Sequence, residues 1–169
     1  IVVFIEYGNQ TTGVLNWANG VLSSNSARRA IVVTHDLLSG NSFTSQGLAI
    51  YEALKGNPNL FLMLGGHLDT TGQRSDVFEG RTVYSLRSDY QFVDSRQSGY
   101  LRIMRFSPAD NMIYFTTYSP NQAKYLTDSS NEFSLPYAMD GVADYTLIGT
   151  TTVPSGSDAT VTWSGLAYN

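Results

Sequence analysis

The sequence predicts an α/β fold: a β-α-β-α-β parallel unit followed by antiparallel strands. Three observations carry this expectation. Three apolar, β-branched runs, Ile1 to Tyr7 (IVVFIEY), Ala30 to Thr34 (AIVVT) and Leu60 to Leu64 (LFLML), lack polar alternation, as strands buried on both faces do. The segments between them carry apolar residues at helical spacing. After Asp69 the pattern changes to short alternating runs.

The elements follow in order. Thr12 is expected to cap a first helix whose stripe is Val14, Leu15, Ala18, Val21 and Leu22, with Trp17 flanking it. Asn25 and Ser26 end it. Arg28 and Arg29 lead into the second strand, and Ser39 to Thr44 reads as a polar loop. Leu48, Ile50, Tyr51 and Leu54 mark a second helix, with Gly56 just past its end and Pro58 blocking continuation. Parallel strands joined by right-handed crossovers follow from this alternation. Thr70 to Asp76 reads as a polar loop and Thr82 to Arg87 as a strand. Tyr100 to Phe106 and Met112 to Tyr118 form a hairpin through SPADN. Residues 121 to 140 read as a tail without periodic elements. Two units result: residues 1–145, and residues 146–169 as a linker with the start of a truncated β-sandwich module, carried by ATVTWSGL after the loop PSGSD.

Composition narrows the function classes. The 169 residues suffice for one ordinary domain, and 42% hydrophobic content supports a sizeable core. A net charge of -4 leaves no basic stripe to neutralise phosphates, which argues against a nucleic-acid polymer as partner. An anionic substrate would need a metal to supply positive charge. The absence of cysteine excludes disulfides and thiolate ligands. Only 14% of residues are charged, and Ser, Thr, Asn and Gly fill the surface, which points to a secreted or cell-surface protein. No apolar run reaches membrane-spanning length. The first residues, without Met and already strand-like, are expected to belong to a fragment or processed product.

The chemistry concentrates in two residues. The chain has 2 histidines, His35 and His67, and both follow an apolar strand. In open α/β sheets, sites form at the carboxyl ends of strands. Strands linked by one crossover can be neighbours, so the two imidazoles are expected to face one crevice, with Asp36 and Asp69 beside them. Gly65 and Gly66 let the backbone bend. Imidazole with carboxylate suits Zn, Mn or Fe. A histidine after a strand is more often an ordinary loop residue; two at equivalent strand ends make the metal reading about as probable as the plain one. No cysteine nucleophile, G-x-S-x-G elbow, Walker A loop or G-x-G-x-x-G occurs. Arg74, Asp76 and Tyr90 are the remaining candidates. Arg74 lies just after the corner, where it could touch a phosphate.

These residues resemble a known family. VVTHDLL with His35, GGHLD with His67 and Asp69, the lead-in WANGVL, the hairpin GYLRIMRF to IYFTTYSP and the segment NEFSLPY are similar to the C-terminal half of calcineurin-like metallophosphoesterases of the secreted bacterial type. The resemblance covers roughly residues 1 to 140. It implies a two-sheet sandwich with flanking helices, and a centre of two metal ions (Mn, Fe or Zn) that hydrolyses a small phosphoester or nucleotide. His35 and His67 would bind the second metal. Asp69 stands where the family has a second histidine of G-H-x-H. The family's D-x-H, G-D-x-x-D and G-N-H-E/D blocks have no match here, so no catalytic residue beyond the metal ligands is assigned. The chain alone is expected to be inactive, with a missing N-terminal half or self-association covering its apolar surface. The last residues resemble the opening of a fibronectin type III-like module. The alternative is a non-catalytic binding or surface module that keeps the fold with an incomplete metal site.

Overall fold

The computed structural model describes residues 1–68, 70–93 and 98–139. Its elements are β1 (Val2–Ile5), α1 (Thr12–Ser24), β2 (Ala30–Asp36), β3 (Leu38–Ser39), β4 (Ser42–Phe43), α2 (Ser45–Leu54), β5 (Leu60–Gly66), β6 (Thr70–Phe78), β7 (Arg81–Asp89), β8 (Leu101–Ser107), β9 (Met112–Ser119), β10 (Lys124–Leu126) and β11 (Phe133–Pro136). The fold is mixed α/β. A five-stranded sheet runs in the order β1-β2-β5-β7-β6, and β1, β2, β5 and β7 are parallel. A second, antiparallel sheet places β9 at its centre, with β8 on one side and β10 and β11 on the other.

The two faces of the five-stranded sheet bury different partners. Helices α1 and α2 cover one face: Ala18, Leu22, Ile50 and Leu54 pack on Val3, Val32, Met63 and Val83. The other face carries Phe61, Leu62, Tyr84 and Leu86, which meet Ile113 and Phe115 of β9. Phe61 stacks on Tyr137 with centroids 4.0 Å apart, and Phe115 on Phe133 at 4.6 Å. Large rings dominate this interface because each removes much apolar area from water, roughly 1.5–3 kcal/mol for a buried Phe.

Both expected helices form, each starting slightly earlier than the pattern implied. Thr11, not Thr12, caps α1, its hydroxyl accepting from the Val14 amide. Thr44 caps α2 by accepting from the Gly47 amide at 3.0 Å. A hydroxyl before the first apolar residue is the signal in both cases. Trp17 is exposed, as a flanking residue should be.

Three expectations are corrected. Thr70 to Asp76 is not a loop but most of β6, paired antiparallel with β7 from Thr70↔Asp89 to Phe78↔Arg81. The turn is Glu79–Gly80, both at positive φ (49° and 76°), the conformation that two-residue hairpins need. As a sheet edge, β6 is polar, which hid its alternation. Thr82 to Arg87 forms a strand as expected, within β7, which runs parallel to β5 as a fourth parallel strand. The polar loop at Ser39 to Thr44 contains the small hairpin β3–β4. The tail at 121 to 140 contributes β10 and β11, too short for a periodic signal yet fully ordered by pairing with β9.

The first strand also departs from expectation. Val3 and Ile5 are buried, but Val2 is 51% and Phe4 70% exposed. As an edge strand, β1 has helices on one face, and nothing among the described residues covers the other. The boundary at 145/146 and the β-sandwich start at 146–169 lie outside the described residues. No helix among them is long and apolar enough to cross a membrane.

Phe115 is 1% exposed at the centre of the interface between the sheets. Phe115→Ala should lower unfolding stability by about 3–5 kcal/mol, the usual cost of a cavity that cannot collapse. Denaturant unfolding at unchanged m-value checks this.

Candidate functional site

The site is assembled by strand register. β2 and β5 are adjacent and parallel, and Asp36 lies opposite Gly66. Each histidine is one residue from that pair, so His35 and His67 meet at the carboxyl edge. His35 Nε2 and His67 Nδ1 are 3.0 Å apart, and the ring centroids 4.7 Å. His35 is exposed and His67 half-buried. At this separation one ring donates an N–H to the lone pair of the other.

The corner after β5 is strained. His67 sits at φ 69° and Thr70 at φ 70°. Left-handed backbone is uncommon outside glycine, and for a β-branched threonine it is a true outlier. Such conformations persist where surrounding structure over-determines them, and they cluster at functional sites.

A third residue completes the cluster. Tyr7 follows β1, and its ring lies 5.3 Å from His35 and 5.0 Å from His67. Three successive parallel strand ends therefore contribute one ring each. Sequence reasoning overlooked Tyr7, although the same topological argument that selected the histidines applies to it.

Two imidazole nitrogens 3.0 Å apart are close to the spacing of neighbouring ligands on one ion, which bonds of about 2.1 Å set at about 3.0 Å for a right angle and about 3.4 Å for a tetrahedral one. The donor chemistry therefore fits a divalent ion bound by neutral imidazoles. Among the described residues, no group of three or more His, Asp or Glu is placed to hold a metal. Asp69, expected where the other metal of the pair has a ligand, lies outside the described residues. Asp36 contributes a different signal: its buried Oδ1 has no hydrogen-bond partner among them.

The segment leaving His35 is pressed onto its neighbours. Leu37 and Leu38 are fully buried. A Cβ on Gly65 would stand 2.5 Å from Leu37 Cβ, and one on Gly72 would overlap the Gly40 carbonyl oxygen. Only glycine permits these approaches. Arg87, 4% exposed, then ties the walls together: Nη1 donates to Leu38 O at 2.8 Å and Nη2 to Thr71 O at 2.9 Å. An arginine in the middle of a buried strand run was the sequence signal for this strut, and it went unused.

The remaining candidates sit elsewhere. Arg74 Nε donates to Asp76 Oδ2 at 2.7 Å, its guanidinium lies 4.2 Å from the Phe43 ring centroid, and Nη1 reaches Asn41 O at 3.4 Å. The Asp76 bond holds the Arg74 pKa above the usual arginine value. The structure thus gives Arg74 and Asp76 to each other on β6 and brings neither to the histidine pair. Tyr90 shares its hydroxyl with Arg102 and Asn131.

No family model matches the chain. It is 33% identical over 150 residues to the uncharacterized protein YvnB of Bacillus subtilis (strain 168), an alignment that covers 80% of this chain. The chain spans only 12% of that relative's length.

Two substitutions three strand positions or fewer from the corner should act in opposite directions. Thr70→Gly should raise stability by about 1–2 kcal/mol by removing the left-handed strain. Gly72→Ala should lower it by about 1–3 kcal/mol through overlap with Gly40. Paired thermal and denaturant unfolding curves check both signs.

Proposed function

We propose that the chain is part of a calcineurin-like metallophosphoesterase unit, contributing His35 and His67 to a metal centre that acts on a small phosphoester. The observation that carries this reading is the 3.0 Å approach of the two imidazole nitrogens at equivalent ends of adjacent parallel strands. The mixed sheet, the antiparallel sheet packed on it and the outer helices agree with the two-sheet sandwich that the resemblance implies. Secretion of the parent protein remains part of the same proposal.

In this reading His35 and His67 would hold one ion as neutral imidazoles, with Asp69 as the candidate ligand of the other. When bound, the metal centre supplies Lewis acidity towards a phosphoryl group and activation of water. Tyr7 packs against both rings and limits their rotation. Gly65 and Gly66 form no bend but close β5, and without side chains they leave backbone open to a group in the crevice. The crevice beside His35 is open, about 380 Å³, and lined by Phe4, Val33, Leu64, Gly66 and Ser88. Further ligands and the proton donor to the leaving group would come from outside these residues.

The alternative is a non-catalytic binding or surface module that keeps the fold with an incomplete metal site.

Metal analysis of the parent protein separates the two. Two metal ions per chain, reduced by His35→Ala or His67→Ala, are expected for the phosphoesterase; a metal-free parent protein would contradict it. The 169-residue chain alone should show no turnover of p-nitrophenyl phosphate with Mn²⁺ or Zn²⁺. Turnover abolished by His67→Ala would show instead that the chain carries a complete site.

A further inference from the structure

A polar cavity of about 290 Å³ adjoins the histidine corner. Both histidine-bearing segments supply its walls. Asn41 lies in the turn of the hairpin that leaves His35, and Thr71 and Gln73 lie on the strand that leaves the corner of His67. Arg102 of β8, with Ser129 and Ser130, closes it from the second sheet. No acidic side chain is among its lining residues.

Among the described residues, Arg102 is a cation without a direct ion pair. Its Nε donates to Thr117 Oγ1 at 3.3 Å. Its Nη2 donates to the Tyr90 hydroxyl at 2.6 Å, Ser130 O at 2.9 Å and Asn131 Oδ1 at 3.2 Å. Every one of these acceptors is neutral. Among the described residues no acceptor lies against Nη1, and no carboxylate forms an ion pair with the guanidinium. Asp128 attracts Arg102 from a distance, but its oxygens accept from Ser130 Oγ at 2.5 Å and Asn131 Nδ2 at 2.7 Å. Partial burial pulls the Arg102 pKa below the usual arginine value.

Even partial desolvation of a cation costs free energy that a bound anion would offset. The walls are also fixed in advance. Arg87 joins the segments at Leu38 and Thr71, and Gly72 lies against Gly40. Asn41 Oδ1 accepts from the Gln73 amide at 3.1 Å, which leaves the Asn41 side-chain NH₂ as a donor. We propose that this cavity binds an oxyanion, a phosphate group above all, with Arg102 as its cation and Asn41, Thr71 and Ser129 as further donors. The guanidinium fork matches the geometry of phosphate oxygens. The site is independent of the metal reading, because its positive charge belongs to Arg102.

The test titrates inorganic phosphate into the chain with chelator present, followed by calorimetry and ³¹P line broadening. Saturable binding is expected. Arg102→Met should weaken it roughly tenfold or more, the loss expected for a charged hydrogen-bonding partner. Arg102 also steadies Tyr90 and Asn131, so a second variant is needed. Asn41→Asp keeps the acceptor for the Gln73 amide and adds a negative charge to the wall; it should weaken binding similarly while the melting temperature holds. His35→Ala should bind phosphate as the parent chain does. No saturable binding, full binding by Asn41→Asp, or loss of binding in His35→Ala would each overturn the proposal. None of these outcomes depends on whether the histidines bind a metal.

Discussion

The arrangement depends on the close backbone contact made by the segment that leaves β2. Leu37 and Leu38 are fully buried, and Leu37 lies over Gly65 where any larger residue would collide. That contact fixes the exit of the strand carrying His35 against the strand that leads to His67. Gly72 receives the Gly40 carbonyl on the far side, and Arg87 bonds to Leu38 and Thr71 across the gap. A buried guanidinium bonded only to carbonyls among the described residues is costly to desolvate. It is tolerated because it supplies donors to backbone acceptors that would otherwise be orphaned. The histidines meet because this layer holds the two strand exits against each other.

Strain at the corner has the same origin. Thr70 begins a strand whose register with β7 is set along its length, from Thr70↔Asp89 to Phe78↔Arg81. β5 ends at Gly66, so little chain is left to reverse direction between the two strands. His67 and Thr70 absorb the reversal in left-handed conformations. The cost, about 1–2 kcal/mol per residue, is carried by the pairing on either side. Tyr7, at the end of β1, then finds both imidazole rings within aromatic contact distance.

The legible parts of the chain were those with long, uniform patterns. Ala30–Asp36 and Leu60–Gly66 are read at once as buried strands because both of their faces are covered, and the helical stripes carry Leu22 and Ile50 into the core. The His35–His67 encounter followed from topology alone. What escaped was polar or short. β6 hides behind Gln73, Arg74, Ser75 and Asp76 because an edge strand faces water. β10 and β11 have too few residues to show a period and owe their shape to β9. β1 reads as doubly buried, yet Phe4 projects from an uncovered face. Arg102 escaped because an arginine in an alternating strand looks solvated; the meeting of Tyr90, Thr117 and Asn131 around it leaves it half-buried.

The central claim is that His35 and His67 present one nitrogen each to a shared ion. Side-chain ¹⁵N spectra of the histidines during Zn²⁺ titration test it most directly. The account predicts that His35 Nε2 and His67 Nδ1, the two nitrogens 3.0 Å apart, move together at one equivalent of metal while the opposite nitrogen of each ring becomes the protonated one. Movement of one histidine alone, or no response from either at saturating Zn²⁺, would contradict it.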